Sequence, residues 1–449
     1  MSADAPRRWE YLRKLAHVGM GGFAFALAFL SWWQAALFAL LALLHNLFLL
    51  PHYGGRRIFR GAAAQRGHDP GIVLYPIAVL IVVLLFPRRL EMAAAGWAFL
   101  AFGDGFATVA GLGLGGLTGS LPWNREKSWA GLMAFAVFGI TGATLLFAWT
   151  AALPFAWSWF VPLVMVGLVL ALLESLPLGL DDNLIVCVGG AALLYAALSV
   201  DPALFAGRSA IFLARLPWAL GVNLLLGVAA LKARAVDRNG LIHGIALGTA
   251  LWVFGSFGAF LMLLVFFVLG SGATRIGYRT KLTEGTAQEK GGARAASNAW
   301  ANAGAGVLFA LLLAGHAITT PFLLAIVAAF ATAASDTLGS EIGQAFGRRT
   351  FLITSFRPVP RGTDGAVSFE GTLAGVVGSL LIGAIAWVLG MISSGGIVIV
   401  VLAAFAGTTM ESYLGALLER AKGINNEAQN FLNTLAGGLV AMVLMRWFG

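Results

Sequence analysis

Five acidic residues stand within or at the ends of long apolar runs of this sequence. They are Asp104, Glu174, Asp336, Glu341 and Glu411. An ionised carboxylate at membrane depth is costly unless a cation or water compensates its charge, so such residues are functional candidates by default. The alternative is that each one ends a helix and reaches the aqueous interface. We take these five, together with Lys127, as the candidate catalytic residues.

Two of these carboxylates, Asp104 and Asp336, begin the same pattern of glycines. Both segments read Asp, six residues, Gly, three residues, Gly, in GDGFATVAGLGLGG and in SDTLGSEIGQAFGRR. The glycines are Gly111 and Gly115 in the first segment and Gly343 and Gly347 in the second. Glycine lets backbone N–H groups face the phosphates of a nucleotide, and a nearby carboxylate can hold Mg²⁺. A glycine every four residues is also the ordinary interface of packed membrane helices, so that alternative stays open.

Basic and acidic side chains near both patterns suit phosphoryl transfer. Basic groups would neutralise the phosphoryl group in transfer, and the candidate nucleotide-binding residues are Gly111, Gly115, Arg125, Lys281, Gly343, Arg357 and Arg361. Adjacent carboxylates such as Asp181 and Asp182 repel each other unless a cation compensates them, which indicates a Mg²⁺ site. A solvated loop is the alternative there. The candidate Mg²⁺ ligands are Asp104, Asp181, Asp182, Asp336 and Asp364.

Helices in a membrane must position these residues. The chain has 449 residues, of which 59% are hydrophobic and 11% charged, and its mean hydropathy is +0.86. Lipid cannot hydrogen-bond an open backbone, and continuous apolar runs favour helices over the strands of a barrel. At about 20 residues for each span, we expect an all-α polytopic integral membrane bundle of roughly 13 to 16 transmembrane helices. The single cysteine, Cys187, excludes an internal disulfide.

The net charge of +9 comes from short basic clusters between the apolar runs. This is the positive-inside pattern of a membrane protein and not the footprint of a nucleic-acid-binding protein. We therefore expect a multi-pass protein of the cytoplasmic membrane, with its basic loops and active sites facing the cytoplasm. The apolar stretch from Leu15 to Pro51 is too long for the core of a signal peptide, so no cleaved leader is expected.

The order of features in the first half recurs in the second. Each half has basic residues before a histidine (His17 and His243), the Asp-Gly-Gly pattern, a basic loop, and a Glu-Ser pair at Glu174 and Glu411. This order predicts two tandem repeats of similar plan, with domains at residues 1–205 and 206–449. The two histidines are candidate general bases or phosphate contacts, or hydrogen-bonded helix residues.

The first half resembles the CTP-dependent polyprenol kinases, the phytol and dolichol kinase family. The matching positions are Asp104, Ala107, Gly111, Gly115, Lys127 and Gly131, while Ala130 stands where that family usually has Glu. The second half resembles the membrane protein family that includes the plant phytyl-phosphate kinase. The matching strings are ATRIGYRTKLTEGTAQEKGGAR, SDTLGSEIG, TDGAVSFEGTLAG and ESYLGALLERAKGINNEAQNFLNT.

Together, the two resemblances imply a bifunctional salvage kinase. The first domain would phosphorylate a prenyl alcohol of the phytol, geranylgeraniol or farnesol type, and the second would convert the monophosphate into the diphosphate, with Mg²⁺ and with CTP as phosphoryl donor. The second half has the more basic loops, which suits an acceptor that already carries a phosphate. The implied partners are these prenyl substrates and the lipid bilayer, without a nucleic acid polymer.

Two other functions stay open from the sequence. CDP-lipid-type cytidylyltransferases are also helical, Mg²⁺-dependent and CTP-using, but their terminal Asp-Arg-hydrophobic-Asp signature is not visible here. A lipid or isoprenoid transporter could also use repeated bundles with charges at the midplane of the membrane. Release of CDP would indicate a kinase, whereas release of pyrophosphate would indicate a cytidylyltransferase.

Overall fold

The chain folds as two compact units, Met1–Ser199 (unit 1) and Val200–Gly449 (unit 2). The computed structural model describes residues 4–53, 70–122, 124–175, 182–283, 296–418 and 426–448. The boundary between the units lies near the domain limit expected between residues 205 and 206. The separate activities assigned to the two domains stay a prediction.

Unit 1 consists of helices that follow its apolar runs. They are α1 (Asp4–Met20), α2 (Trp32–Leu49), α3 (Pro70–Leu85), α4 (Leu90–Thr118), α5 (Trp129–Ala151), α6 (Trp157–Ser175) and α7 (Ile185–Ser199). Short helical segments adjoin them: a 3-10 helix at Gly21–Ala28 and single α-helical turns at Leu50–Tyr53 and Asp182–Leu184. Within α4, the stretch Phe99–Asp104 is π-helical. Such wider turns are frequent at functional sites, and this one ends at Asp104.

Unit 2 is a second helical bundle with one small hairpin. Its helices are α8 (Pro202–Gly207), α9 (Ser209–Lys232), α10 (Arg238–Ala250), α11 (Phe257–Arg275), α12 (Tyr278–Thr283), α13 (Ala296–Ala314), α14 (Thr320–Phe346), α15 (Phe369–Val388), α16 (Ser394–Leu418) and α17 (Asn426–Phe448). Strands β1 (Thr350–Leu352) and β2 (Ala366–Ser368) pair antiparallel between α14 and α15. Helix α14 is central, because every residue from Leu324 to Ser335 is buried.

The helices confirm the predicted polytopic all-α membrane fold. Among the described residues, ten helices are long and apolar enough to span a membrane, and two shorter apolar helices are Gly71–Leu85 and Ile185–Ser199. Several of the ten exceed the length of about 20 residues that the expectation of roughly 13 to 16 spans allowed for each. Leu90–Thr118 has 29 residues and Thr320–Phe346 has 27. Cys187 is buried as a free thiol.

One local arrangement recurs in both units at the helix that follows the glycine pattern. Ser128 Oγ accepts a hydrogen bond from Gly131 N at 3.2 Å, and Ser368 Oγ accepts one from Gly371 N at 3.1 Å. Each capping hydroxyl also lies against the two patterned glycines of its unit. A methyl group added to Gly111 or Gly115 would lie 3.4 Å or 3.2 Å, respectively, from Ser128 Oγ. A methyl group added to Gly343 or Gly347 would lie 3.1 Å or 3.0 Å, respectively, from Ser368 Oγ. The two units therefore share this part of their plan.

The patterned glycines thus make room for a capping serine and for the helix that it begins. Gly111, Gly115 and Gly343 lie inside helices, where backbone N–H groups bond to the carbonyl four residues earlier. The arrangement favours the packing interpretation of the pattern over a backbone cradle for phosphates. A direct role of these glycines in nucleotide binding stays a prediction.

Gly371→Ala should destabilise unit 2 through this close contact. A Cβ on Gly371 would lie 2.5 Å from the carbonyl oxygen of Gly339. Because this oxygen belongs to the backbone of α14, the clash is relieved only if α14 and α15 move apart. We expect a loss of about 1–3 kcal/mol in the free energy of unfolding, measured by denaturation in mixed micelles. Gly221→Ala is the matched control, since a Cβ there meets nothing within 4 Å. Equal losses in both variants would contradict the packing role.

Candidate functional site

In unit 1, Asp104 lies in a buried group with two basic side chains of α1. Its Oδ2 atom lies 2.6 Å from Lys14 Nζ and 3.4 Å from His17 Nε2. His17 Nε2 also donates to the carbonyl oxygen of Leu100 at 3.1 Å. Burial lowers the pKa of His17 to about 4, although the nearby Asp104 acts in the opposite direction. The ring is therefore neutral near pH 7, and the charge of Asp104 is compensated by Lys14.

The second pair of candidates in unit 1, Lys127 and Glu174, forms an ion pair. Lys127 lies in the loop between α4 and α5, and Glu174 lies in the last turn of α6. Asn124 of the same loop donates from Nδ2 to the carbonyl oxygen of Ser175 at 3.1 Å, which fixes the loop on the end of α6. Arg125 is exposed on this loop. The structure thus brings together two predicted residues that the sequence separates by 47 positions.

In unit 2, the carboxyl groups of Asp336 in α14 and Glu411 in α16 lie close enough to interact with each other. Asp364, in the loop that leads to β2, is close enough to act electrostatically on Glu411. Among the described residues, no lysine, arginine or histidine forms an ion pair with Asp336 or Glu411. Three residues that were chosen separately from the sequence therefore form one acidic group without a described basic partner.

The other two candidates of unit 2, Lys281 and Glu341, are paired deep in the protein. Lys281 Nζ bonds to Glu341 Oε2 and donates to the carbonyl oxygen of Thr274 at 2.9 Å. Thr274 Oγ1 donates to Glu341 Oε1 at 2.9 Å. The side chains of Lys281 and Glu341 are only 1% and 4% exposed. This arrangement favours a structural ion pair over the predicted phosphate contact of Lys281 and the predicted catalytic role of Glu341.

The arginines of the second basic loop have different surroundings. Arg357 is exposed beside the hairpin. Arg361 donates from Nε to the carbonyl oxygen of Gly347 at 2.7 Å, which ties the loop to the C-terminal end of α14. The loop therefore presents one arginine to solvent and uses the other to hold its position near the patterned glycines.

Of the Mg²⁺ ligands predicted in unit 1, the structure describes only the side chain of Asp104, which is paired with Lys14. Asp181 lies outside the described residues, and Asp182 begins the turn Asp182–Leu184, with nothing described of its side chain. In the described part of the chain, no three His, Cys, Asp or Glu side chains are grouped closely enough to hold a metal ion. In unit 2, Asp336 and Glu411 supply two neighbouring carboxyl groups, and carboxylate oxygens are ligands that Mg²⁺ prefers.

The sequence did not indicate the roles of Lys14 and Thr274 in these groups, nor a further buried polar residue, Asn433. Lys14 stands three residues before His17 on one face of a helix, a spacing that brings side chains together, and this spacing is the signal that could have found it. Thr274 and Asn433 lie within the strings that resemble the family of the plant phytyl-phosphate kinase, but nothing in those strings marks either residue for a role. Asn433 of α17 is buried, and both polar atoms of its amide lack a partner among the described residues.

Comparisons with known proteins relate the chain to membrane proteins of bacteria and plants. The family described as integral membrane protein DUF92 matches residues 221–438. An uncharacterized membrane protein of Synechocystis is 40% identical over 233 residues, which cover 50% of this chain and 90% of that protein. Protein VTE6, chloroplastic, of Arabidopsis thaliana is 35% identical over 239 residues, which cover 51% of this chain and 72% of that protein.

A more distant likeness relates the chain to enzymes. Phytol kinase 1, chloroplastic, of Arabidopsis thaliana is 31% identical over 120 residues, which cover 25% of this chain and 39% of the kinase. No solved structure matches the chain. The match to residues 221–438 and the coverage of the relatives lead to one assignment: the chain belongs to the integral membrane protein family DUF92.

Proposed function

We propose that the protein is a membrane-embedded kinase that phosphorylates prenyl substrates, with CTP as donor and Mg²⁺ as cofactor. The observation that carries the proposal is the half-buried acidic pair Asp336 and Glu411 in unit 2, beside the basic loop whose Gly365 packs against Ser412 and Ala416. The likeness to a phytol kinase supports a prenyl acceptor. Unit 2 would convert a prenyl monophosphate into the diphosphate, and unit 1 would supply the monophosphate from the alcohol.

The reaction in unit 2 is a transfer between two phosphate groups. An oxygen of the prenyl monophosphate bonds to the terminal phosphorus of CTP, the bond from that phosphorus to its bridging oxygen breaks, and CDP leaves with the electron pair. The barrier is mainly positional and electrostatic. Arg357, exposed at the hairpin, would contact the phosphates, while Arg361 would hold the loop through Gly347 O.

The acidic pair of unit 2 fits a divalent cation. Asp336 and Glu411 contribute neighbouring carboxyl oxygens without a described basic partner, and Mg²⁺ binds such oxygens. When bound, Mg²⁺ neutralises charge on the nucleotide phosphates. The apolar tail of the acceptor would lie among the lipid-facing helices, with its phosphate at the end of α14 that carries Glu341 and Gly343.

In unit 1, the Asp104 group would orient the hydroxyl of the alcohol. Asp104 is held by Lys14 at 2.6 Å, so its carboxylate is a weaker cation ligand than the pair of unit 2, which has no basic partner among the described residues. Lys127, whose side chain is 33% exposed, would contact phosphates of the donor. In this proposal both sites face the cytoplasm, because each lies beside a basic loop.

Product analysis tests the function directly. Purified full-length protein is incubated with CTP, Mg²⁺ and either farnesol or farnesyl monophosphate, and the nucleotide and lipid products are separated. We expect CDP together with the prenyl mono- or diphosphate. Release of pyrophosphate with a cytidylylated lipid would instead indicate a cytidylyltransferase. Absence of CTP consumption with every prenyl alcohol and monophosphate tried would refute the kinase proposal.

A further inference from the structure

A buried asparagine lies one helical turn from the acidic pair of unit 2. Thr332 precedes Asp336 by four residues on α14, and Gly407 precedes Glu411 by four residues on α16. A methyl group added to Gly407 would lie 2.8 Å from Thr332 Cγ2 and 2.9 Å from Asn433 Oδ1. Asn433 therefore reaches into the contact between α14 and α16, about 6 Å along the helix axes from the carboxyl groups.

The directions of the helices bring the three side chains closer than this spacing suggests. Helices α14 and α16 run parallel to each other and α17 runs antiparallel to both. Helix α15 is antiparallel to α14, because Ser335 contacts Gly375 and Gly339 contacts Gly371. It is also antiparallel to α16, which it contacts through Gly383 and Ile397. Helix α17 contacts α14 through Thr332 with Gly437 and Ala325 O with Gly438. In a helix each Cα–Cβ bond tilts toward the N-terminus. Asp336 and Glu411 thus lean toward Asn433, and Asn433 leans toward them.

The amide of Asn433 requires a partner that the described residues do not supply. The residue is 1% exposed, and neither Oδ1 nor Nδ2 has a hydrogen-bond partner among the described residues. A buried polar group without a partner costs about 1–3 kcal/mol. An apolar residue of the same size would avoid this cost, so the amide indicates a ligand.

Charge identifies the class of ligand. Asp104, Glu174 and Glu341 each have a lysine partner, Lys14, Lys127 and Lys281 respectively. The pair Asp336 and Glu411 differs from these three, because no basic partner accompanies it among the described residues. Two carboxyl groups and one amide oxygen are oxygen donors of the kind that hard divalent cations bind.

We propose that Asp336, Glu411 and Asn433 form a divalent-cation site in unit 2, with the amide oxygen of Asn433 as a neutral ligand. This inference deepens the proposed kinase function, because it places the metal in unit 2 and adds a ligand from α17. The Asp104 group of unit 1 is not an equivalent site, since Lys14 already occupies the position of a cation there.

Binding of Mn²⁺ alone tests the site without turnover. Free Mn²⁺ is counted by electron paramagnetic resonance while purified full-length protein is titrated in detergent. We expect saturable binding that Glu411→Gln and Asp336→Asn weaken by about 100-fold and Asn433→Ala by about 10-fold. Asn223→Ala is the matched control, since Asn223 is also buried in unit 2 but donates to Ala219 O at 2.8 Å. It should bind Mn²⁺ as the wild type does.

Asn433→Asp separates a ligand from a structural residue. If the side chain contacts the cation, the added charge should tighten Mn²⁺ binding about 10-fold and make thermal stability depend on Mn²⁺. Destabilisation that Mn²⁺ does not reverse would overturn the role of Asn433. No saturable binding by the wild type, or equal weakening by Asp104→Asn, would overturn the site. Binding without CTP consumption would refute only the kinase proposal.

Discussion

Asp336→Asn should lower the phosphorylation of a prenyl monophosphate by about 1,000-fold, because it removes one charge of the acidic pair at nearly constant shape. The phosphorylation of a prenyl alcohol should continue, since that step is assigned to unit 1. The measurement is the rate of CDP release with farnesyl monophosphate and, separately, with farnesol. Thermal unfolding of each purified variant shows whether it has folded.

Asp104→Asn is the counterpart and should lose the alcohol step while retaining the monophosphate step. This substitution leaves the buried ammonium group of Lys14 without its carboxylate, which lies at 2.6 Å, so folding can suffer. The double variant Lys14→Met/Asp104→Asn removes both charges, so its alcohol and monophosphate steps can be measured if the single variant does not fold. If folded variants of both units lose both steps equally, the assignment of one step to each unit is wrong.

The sequence predicted the fold because membrane burial leaves a direct pattern. Continuous apolar runs allow only helices in lipid. The two tandem repeats inferred from the recurring order of Asp, Gly and basic loop stay a prediction, although both units share the capping serine. The number of spans is harder to read from the sequence, because helices such as Thr320–Phe346 exceed the length that crosses a bilayer. The tilt of a helix and its extension beyond the lipid depend on packing against neighbouring helices. A local sequence pattern therefore does not predict them.

The candidate site was predictable in its residues but not in their pairing. Each acidic residue was conspicuous because it interrupts an apolar run. Its partner was not, since Lys14 and Asp104 stand 90 positions apart and Lys281 and Glu341 stand 60 apart. Which lysine meets which carboxylate follows from the packing of whole helices. The glycine pattern was ambiguous for a related reason: the same spacing serves a phosphate or the capping serine of the next helix.

Breaking the buried pair of Lys281 and Glu341 should have the largest effect on stability. Each single variant, Lys281→Met or Glu341→Gln, leaves one buried charge without its partner, and we expect a loss of about 3–5 kcal/mol in the free energy of unfolding. The double variant removes both charges and should lose much less than the sum of the two. Denaturation of the four proteins in mixed micelles gives the coupling energy.

The same double variant decides whether Lys281 also contacts the nucleotide. A lysine that is 1% exposed and bonded to Glu341 and Thr274 O has its donors committed, so the KM for CTP should stay near the wild-type value. Arg357→Met is the matched control. Because Arg357 is exposed at the hairpin, the free energy of unfolding of this variant should stay within about 0.5 kcal/mol of the wild-type value, while its KM for CTP should rise. If the double variant is stable but its KM for CTP rises as much as that of Arg357→Met, Lys281 contacts the nucleotide phosphates, as the sequence predicts. Additive losses in stability would show that the two charges do not depend on each other.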